Sequence, residues 1–181
     1  DRLAECGRRA IEDGCTVAAL CFLNSWASSH HEERAVEVLQ SVGFSVISAS
    51  SRIRPLIKYL DRSDTALVNA TLSPVMDAYL DQVQSGIHGS PLWIMTSAGG
   101  LVSRDRFHAV DSLVSGPAGG VLGAVEAGRR AGMNKIIGLD MGGTSTDVSR
   151  WKDRLELRQQ LQVGNARILT PAMPIETVAA G

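Results

Sequence analysis

Residues 136–149 run Ile136-Ile137-Gly138-Leu139-Asp140-Met141-Gly142-Gly143-Thr144-Ser145-Thr146-Asp147-Val148-Ser149, and no other stretch narrows the fold as much. An apolar strand, a tight glycine turn and a second strand predict a β-hairpin whose loop is bracketed by two carboxylates, Asp140 and Asp147. Glycine at 142 and 143 lets the backbone approach a ligand closely and adopt φ values that other residues avoid. Successive N–H groups in such a turn make an anion-binding concavity. Thr144, Ser145 and Thr146 add hydroxyl donors. A carboxylate beside bound phosphate is repelled unless it works through Mg²⁺, which keeps several waters and takes one or two carboxylates. The pattern therefore points to a hairpin that holds the phosphates of Mg-ATP. The alternative is an ordinary hairpin with a Gly-Gly turn.

The chain has 181 residues, enough for one medium domain or parts of two. A hydrophobic content of 44% and a charged content of 20% suit a globular protein with a real core. A net charge of −1 provides no field that would favour nucleic acid or an anionic membrane. No apolar run reaches the roughly 18–20 residues of a membrane span. Cys6, Cys15 and Cys21 form no CxxC pair, which argues against a disulfide framework or zinc site and for a reducing, cytoplasmic setting. The start lacks a signal-peptide pattern, and the end is a small-residue turn, Ala179-Ala180-Gly181. Both are expected of a piece of a longer polypeptide.

Before the hairpin, Leu3–Asp13 reads as a helix with Leu3, Ala10 and Ile11 on one face. Thr16–Leu23 is a continuous apolar run, as a buried parallel strand is. Ser29 with Glu32 fits a capping box, so a second helix should run from there to about Val42, closed by Gly43. Phe44–Ser48 is the next strand, and strand–helix–strand favours an α/β class. His30-His31-Glu32-Glu33 suggests a metal site, but the adjacent histidines lack the i, i+4 spacing of two ligands on one helix face. Capping and solvation explain them, unless a histidine or Glu32 reaches into a cleft. Residues 51–64 read as a junction between two units. Thr65–Leu72 fits strand or helix, and Ser73-Pro74 reads as an N-cap and first position of a helix to about Ser85. Pro91–Ser97 is a strand turned by Ala98-Gly99-Gly100, either a plain turn or a ligand-binding strand end.

Ser115-Gly116-Pro117-Ala118-Gly119-Gly120 opens a helix that ends near Arg129-Arg130 and Gly132. Interior glycines cost about 1 kcal/mol each relative to alanine, so this run needs a reason. Close approach to another element is one, and a phosphate at the helix start is another. Beyond the hairpin, Arg154–Arg158 alternates like a half-exposed strand, Gly164-Asn165 is a turn, and Ile175–Val178 starts another strand.

These residues resemble the hydantoinase A / 5-oxoprolinase family of ATP-dependent enzymes, which includes acetone and acetophenone carboxylase subunits. The resemblance is carried in order by Ser25 through His31-Glu32, Asn69-Ala70 with Pro74 and Tyr79-Leu80, Thr96–Leu101, Ser115–Val121, Asp140–Ser149 and the final Ala180-Gly181. It implies an actin / sugar-kinase / heat-shock-type ATPase fold, present in part, with two related lobes around a nucleotide cleft. Residues 1–60 would then end the N-terminal hydantoinase/oxoprolinase domain, and residues 61–181 would begin the hydantoinase A ATPase-like domain. Pro117–Ala131 looks like the first connecting helix, and Asp140–Ser149 like the phosphate hairpin of the second lobe. The family's similar hairpin near its N-terminus has no counterpart here, and the adenosine-side glycines should follow Gly181. The chain thus holds about half of a nucleotide site and should not turn over substrate alone.

The implied activity is ATP-dependent opening of a cyclic amide, a hydantoin or 5-oxoproline-like ring, through phosphorylation of its carbonyl oxygen and attack by water. Gly142, Gly143, Thr144, Ser145 and Thr146 would bind phosphate. Asp140 and Asp147 would hold Mg²⁺ or orient the nucleophile. The implied partners are the remaining domains and a second enzyme subunit. The alternatives are a ketone carboxylase subunit using the same local chemistry, and a non-catalytic nucleotide-binding or structural segment.

Overall fold

A computed structural model describes residues 2–180; Gly181, expected to open the glycine-rich segment, lies outside the described residues. In chain order the elements are α1 (Arg2–Glu12), β1 (Val17–Leu20), α2 (His30–Ser41), β2 (Val46–Ala49), α3 (Ser50–Ile53), α4 (Tyr59–Gly86), β3 (Trp93–Met95), β4 (Leu101–Ser103), α5 (Ser115–Arg130), β5 (Lys135–Met141), β6 (Thr146–Lys152), β7 (Leu161–Val163), β8 (Ala166–Ile168) and β9 (Ile175–Val178). The chain is α/β. It divides into two compact units, 1–90 with 108–110 and 162–169, and 91–107 with 111–161 and 170–181. Compactness keeps α4, nearly all of which lies beyond the boundary expected at 60/61, with the first segment.

In the first unit β1 and β2 pair in parallel, Val17 opposite Val46 through Leu20 opposite Ala49, as the strand–helix–strand reading requires. Leu20, Val36, Leu39, Phe44 and Ala49 form a core, and Leu3, Ala10 and Ile11 of α1 pack against it. The capping box at Ser29 does not form: Ser29 makes no side-chain cap hydrogen bond. Glu32 turns inward instead. Its carboxylate accepts from Phe22 N at 2.8 Å, Ser50 Oγ at 2.8 Å and Ser51 N at 2.9 Å, with Arg62 Nη1 at 4.0 Å and both side chains at 0% exposure. Arg62 also donates to the carbonyls of Phe22 and Leu23. Three donors and a cation outbid a local cap because a buried carboxylate is costly unless paired and hydrogen-bonded.

Residues 65–72 are helical, and Ser73-Pro74 starts nothing: α4 runs unbroken for 28 residues with Pro74 inside it. Ser73 Oγ bonds back to Asn69 O at 2.7 Å. An interior proline costs about 3 kcal/mol, and burial of Thr65, Ala66, Asn69 and Ala70 along the same helix offsets it. Asn69 ties α4 to Ser48 Oγ at 2.8 Å and to Val110 N at 3.1 Å.

In the second unit, β5, β6 and β9 form an antiparallel sheet in that order. One face packs on α5 through Ala118, Val121 and Val125, joined by Met173, Trp151 and Ile175. α5 begins at Ser115, so Pro117 stands third rather than first; its missing N–H is still among those the first turn leaves unpaired. The Ser97–Gly100 turn joins β3 to β4, an antiparallel pair. Ser97 is fully buried and bonds Asp111 O and Val114 N, which anchors the start of this turn. Residues 154–158 form no strand, only isolated bridges from Arg154 to Lys152 and from Arg158 to Ala172. Among the described residues, no helix is long and apolar enough to cross a membrane.

Candidate functional site

The hairpin register builds the site. β5 and β6 pair from Lys135 opposite Lys152 to Met141 opposite Thr146, which sets Asp140 directly across from Asp147 and Gly138 across from Ser149. Directly opposed side chains share a face, with Cβ atoms about 4.5–5.5 Å apart. That face is the one toward α5, because strand side chains alternate: a Cβ placed on Gly120 of α5 would lie 3.5 Å from Asp140 Oδ2, and one on Gly138 would lie 3.7 Å from Ala124 Cβ. Between helix and sheet is a cavity of about 200 Å³ lined by Pro117, Gly120, Ala124, Asp140, Asp147 and Ser149 among others. The small residues of α5 are what keep it open.

Opposed like charges destabilise a sheet. Among the described residues no basic side chain pairs with Asp140 or Asp147. The donor set is oxygen only, from carboxylates on two strands and neighbouring hydroxyls, which suits a hard divalent cation such as Mg²⁺. The two aspartates are held differently. Asp147 is half-buried and accepts a hydrogen bond from Thr177 Oγ1 at 2.6 Å. Asp140 is exposed and, among the described residues, accepts none.

The hairpin tip is 142–145. Gly142 N donates to Ser145 O at 2.9 Å and closes the turn; Gly143 and Thr144 are exposed at its end. Neither Gly142 nor Gly143 has a positive φ, and a Cβ at Gly143 would meet nothing within 4 Å. The chain's own packing thus gives no reason for glycine at 143, whereas a ligand against the turn would. Thr146 is buried, and its hydroxyl donates to Ala180 O at 2.5 Å on the side away from Asp147. The structure therefore brings Asp140, Asp147, Gly142, Gly143, Thr144 and Ser145 around one loop, and engages Thr146 elsewhere.

His30 and His31 are exposed, with ring centroids 5.5 Å apart. Glu32 reaches into the buried network and not into a cleft. Among the described residues no group of three or more His, Cys, Asp or Glu side chains could hold a metal ion. Thr177 and Ser149 were not legible as site residues. Their only signal is period-2 alternation in Ile175–Val178 and Thr146–Ser149, which does not say which strands pair.

The profile of the Hydantoinase/oxoprolinase family matches residues 62–181. The chain is 39% identical to the 5-oxoprolinase of Saccharomyces cerevisiae over 173 residues, covering 93% of this chain and 14% of that protein. It is 29% identical to the caprolactamase subunit alpha of Pseudomonas jessenii, covering 94% of this chain and 26% of that one. The crystal structure of the ATP-dependent caprolactamase from that organism superposes with a TM-score of 0.84 at 25% identity, over 99% of this chain and 27% of the other. Nucleotide-free acetone carboxylase gives 0.78 at 23% identity, over 99% of this chain and 27% of the other. The chain thus spans about one seventh of the yeast relative's length.

Proposed function

The chain belongs to the hydantoinase/oxoprolinase family, and from that premise we propose that the whole protein uses Mg-ATP to open a cyclic amide of the hydantoin or 5-oxoproline kind. The observation that carries this is the pairing of Asp140 with Asp147 across a hairpin whose tip is open at Gly143. In phosphoryl transfer a protein mostly positions groups and stabilises charge. Thr144 and Ser145 offer hydroxyls and Gly143 an unobstructed backbone to the phosphates. Gly142 keeps the turn closed, and Thr146 would join them only by releasing Ala180. Asp140 and Asp147 would hold Mg²⁺, which when bound neutralises phosphate charge. Pro117–Ala131 is read as the connecting helix and Asp140–Ser149 as one phosphate hairpin of an actin / sugar-kinase / heat-shock-type ATPase fold.

In that reading the chain supplies about half of the nucleotide site, and the remaining domains and a second subunit complete the enzyme; the caprolactamase relative is itself named as an alpha subunit. Three free cysteines, with Cys6 and Cys15 exposed, favour the cytoplasm. The ketone-carboxylase reading has no observation of its own, since the likeness to acetone carboxylase, at 23% identity, extends to the fold. The test is ATP turnover by the full-length protein with 5-oxoproline, with hydantoins, and with ketones plus bicarbonate. Asp147→Ala should abolish it with the fold intact by circular dichroism. Turnover at the normal rate would remove Asp147 from the mechanism, and turnover only with ketones would replace the cyclic-amide reading.

A further inference from the structure

Among the described residues β9 is an edge strand of the second unit's sheet, paired with β6. Its register sets Thr177 directly opposite Asp147, and Thr177 Oγ1 donates to Asp147 Oδ1 at 2.6 Å. Thr177 is exposed, so packing does not demand a β-branched hydroxyl there. An exposed hydrogen bond of this kind contributes little to stability, and substitutions at such positions stay within about 0.5 kcal/mol. What the bond does is fix a carboxylate that lines the cavity beside α5, while Asp140 on the facing strand has no such anchor among the described residues. A rotamer locked by a neighbouring hydrogen bond is how ligating carboxylates are normally oriented, and losing that partner costs about 10- to 100-fold in metal affinity or activity.

We propose that Thr177 is a positioning residue for Asp147: its hydroxyl holds one carboxylate oxygen toward β9 and leaves the other for a metal–nucleotide ligand in the cavity. This rests on the Mg-ATP reading above and deepens it by dividing the work of the two aspartates. Asp147 is the pre-set ligand, and Asp140, exposed and without such a hydrogen bond among the described residues, is the one left to adjust when the ligand arrives. Thr177 never touches the ligand and acts only through Asp147.

The test uses the full-length protein and Mn²⁺ with ATP as the probe, read by water-proton relaxation, which needs no turnover. Thr177→Val should weaken Mn-ATP binding by about 10-fold or more at an unchanged melting temperature, and Thr177→Ser should restore it. Asp147→Asn should weaken binding further. In an Asp147→Ala background, which removes the acceptor altogether, adding Thr177→Val should change nothing more, because the hydroxyl has no side-chain oxygen left to orient. Equal binding by wild type and Thr177→Val would overturn the positioning role while leaving the site in place. An additional loss from Thr177→Val in the Asp147→Ala background would overturn it too, since Thr177 would then be acting on the ligand directly. A wild-type protein that binds no Mn-ATP would overturn the Mg-ATP reading itself, and this inference with it.

Discussion

Replacing Glu32 by alanine should be among the most damaging single changes in the first unit. Glu32 and Arg62 are both 0% exposed and lie 4.0 Å apart. The carboxylate also receives Phe22 N at 2.8 Å, Ser50 Oγ at 2.8 Å and Ser51 N at 2.9 Å. Removing it leaves the Arg62 charge buried without its counter-ion and strands two backbone donors. Breaking a buried pair costs about 3–5 kcal/mol, and the stranded donors share that cost with Arg62 because one carboxylate served them all. A loss of about 4 kcal/mol should lower the melting temperature by roughly 8–16 °C in a chain of this size. The control is Glu33→Ala. Glu33 pairs with Arg52 at the surface, where such bridges contribute about 0–1 kcal/mol. Thermal unfolding followed by circular dichroism compares the two. A Glu32→Ala loss no larger than that of Glu33→Ala would refute the argument.

The pH dependence gives an independent check. Burial pushes the Glu32 carboxyl up, but the hydrogen bonds it accepts, the Ser51 and Phe22 backbone N–H groups among them, outweigh it and hold the group below its usual value. A lowered folded value means the network stabilises fully above the ordinary carboxylate range, and that the contribution is lost as pH falls through the folded value. The stability gap between wild type and Glu32→Ala should therefore be constant at neutral pH and narrow below about pH 4.

Gly143→Ala should leave stability within about 0.5 kcal/mol, because its φ is not positive and the space around it is open. It should weaken Mg-ATP binding by the full-length protein by about tenfold, or ~1.4 kcal/mol, as calorimetry would show. Unchanged affinity would remove the tip from the phosphate site. Gly99→Ala should do the reverse. Gly99 has φ +81°, and an added Cβ would sit 2.2 Å from Met173 Cε, so urea denaturation should show a loss of about 1–3 kcal/mol.

Several features were legible because their causes are local. The hairpin is a period-2 pattern around a short glycine loop, so its two strands pair in one register and bring Asp140 and Asp147 together. Leu3, Ala10 and Ile11 share a helix face by spacing alone, and they pack where that spacing directs them. Other features were misread because a local signal had a tertiary competitor. Ser73-Pro74 has the form of a helix start, yet α4 passes through it because the turns before it are buried through Thr65, Ala66, Asn69 and Ala70. Ser29 with Glu32 has the form of a capping box, yet Glu32 serves Phe22, Ser50 and Ser51. Arg154–Arg158 alternates like a strand, yet forms only isolated bridges.

The partner of Asp147 belongs to neither group. Thr177 stands 30 residues away along the chain, and alternation within Ile175–Val178 marks a strand without naming its neighbour. The sequence by itself determined the α/β class and the loop that carries the two carboxylates, because each is written in residues close together, and the family, because its short motifs recur in order along the chain. The tertiary structure alone decided which face those carboxylates share, that α5 roofs them over a cavity, and that Thr177 holds one of them. Those facts depend on long-range pairing, where burial and hydrogen bonding across the fold outweigh local preference.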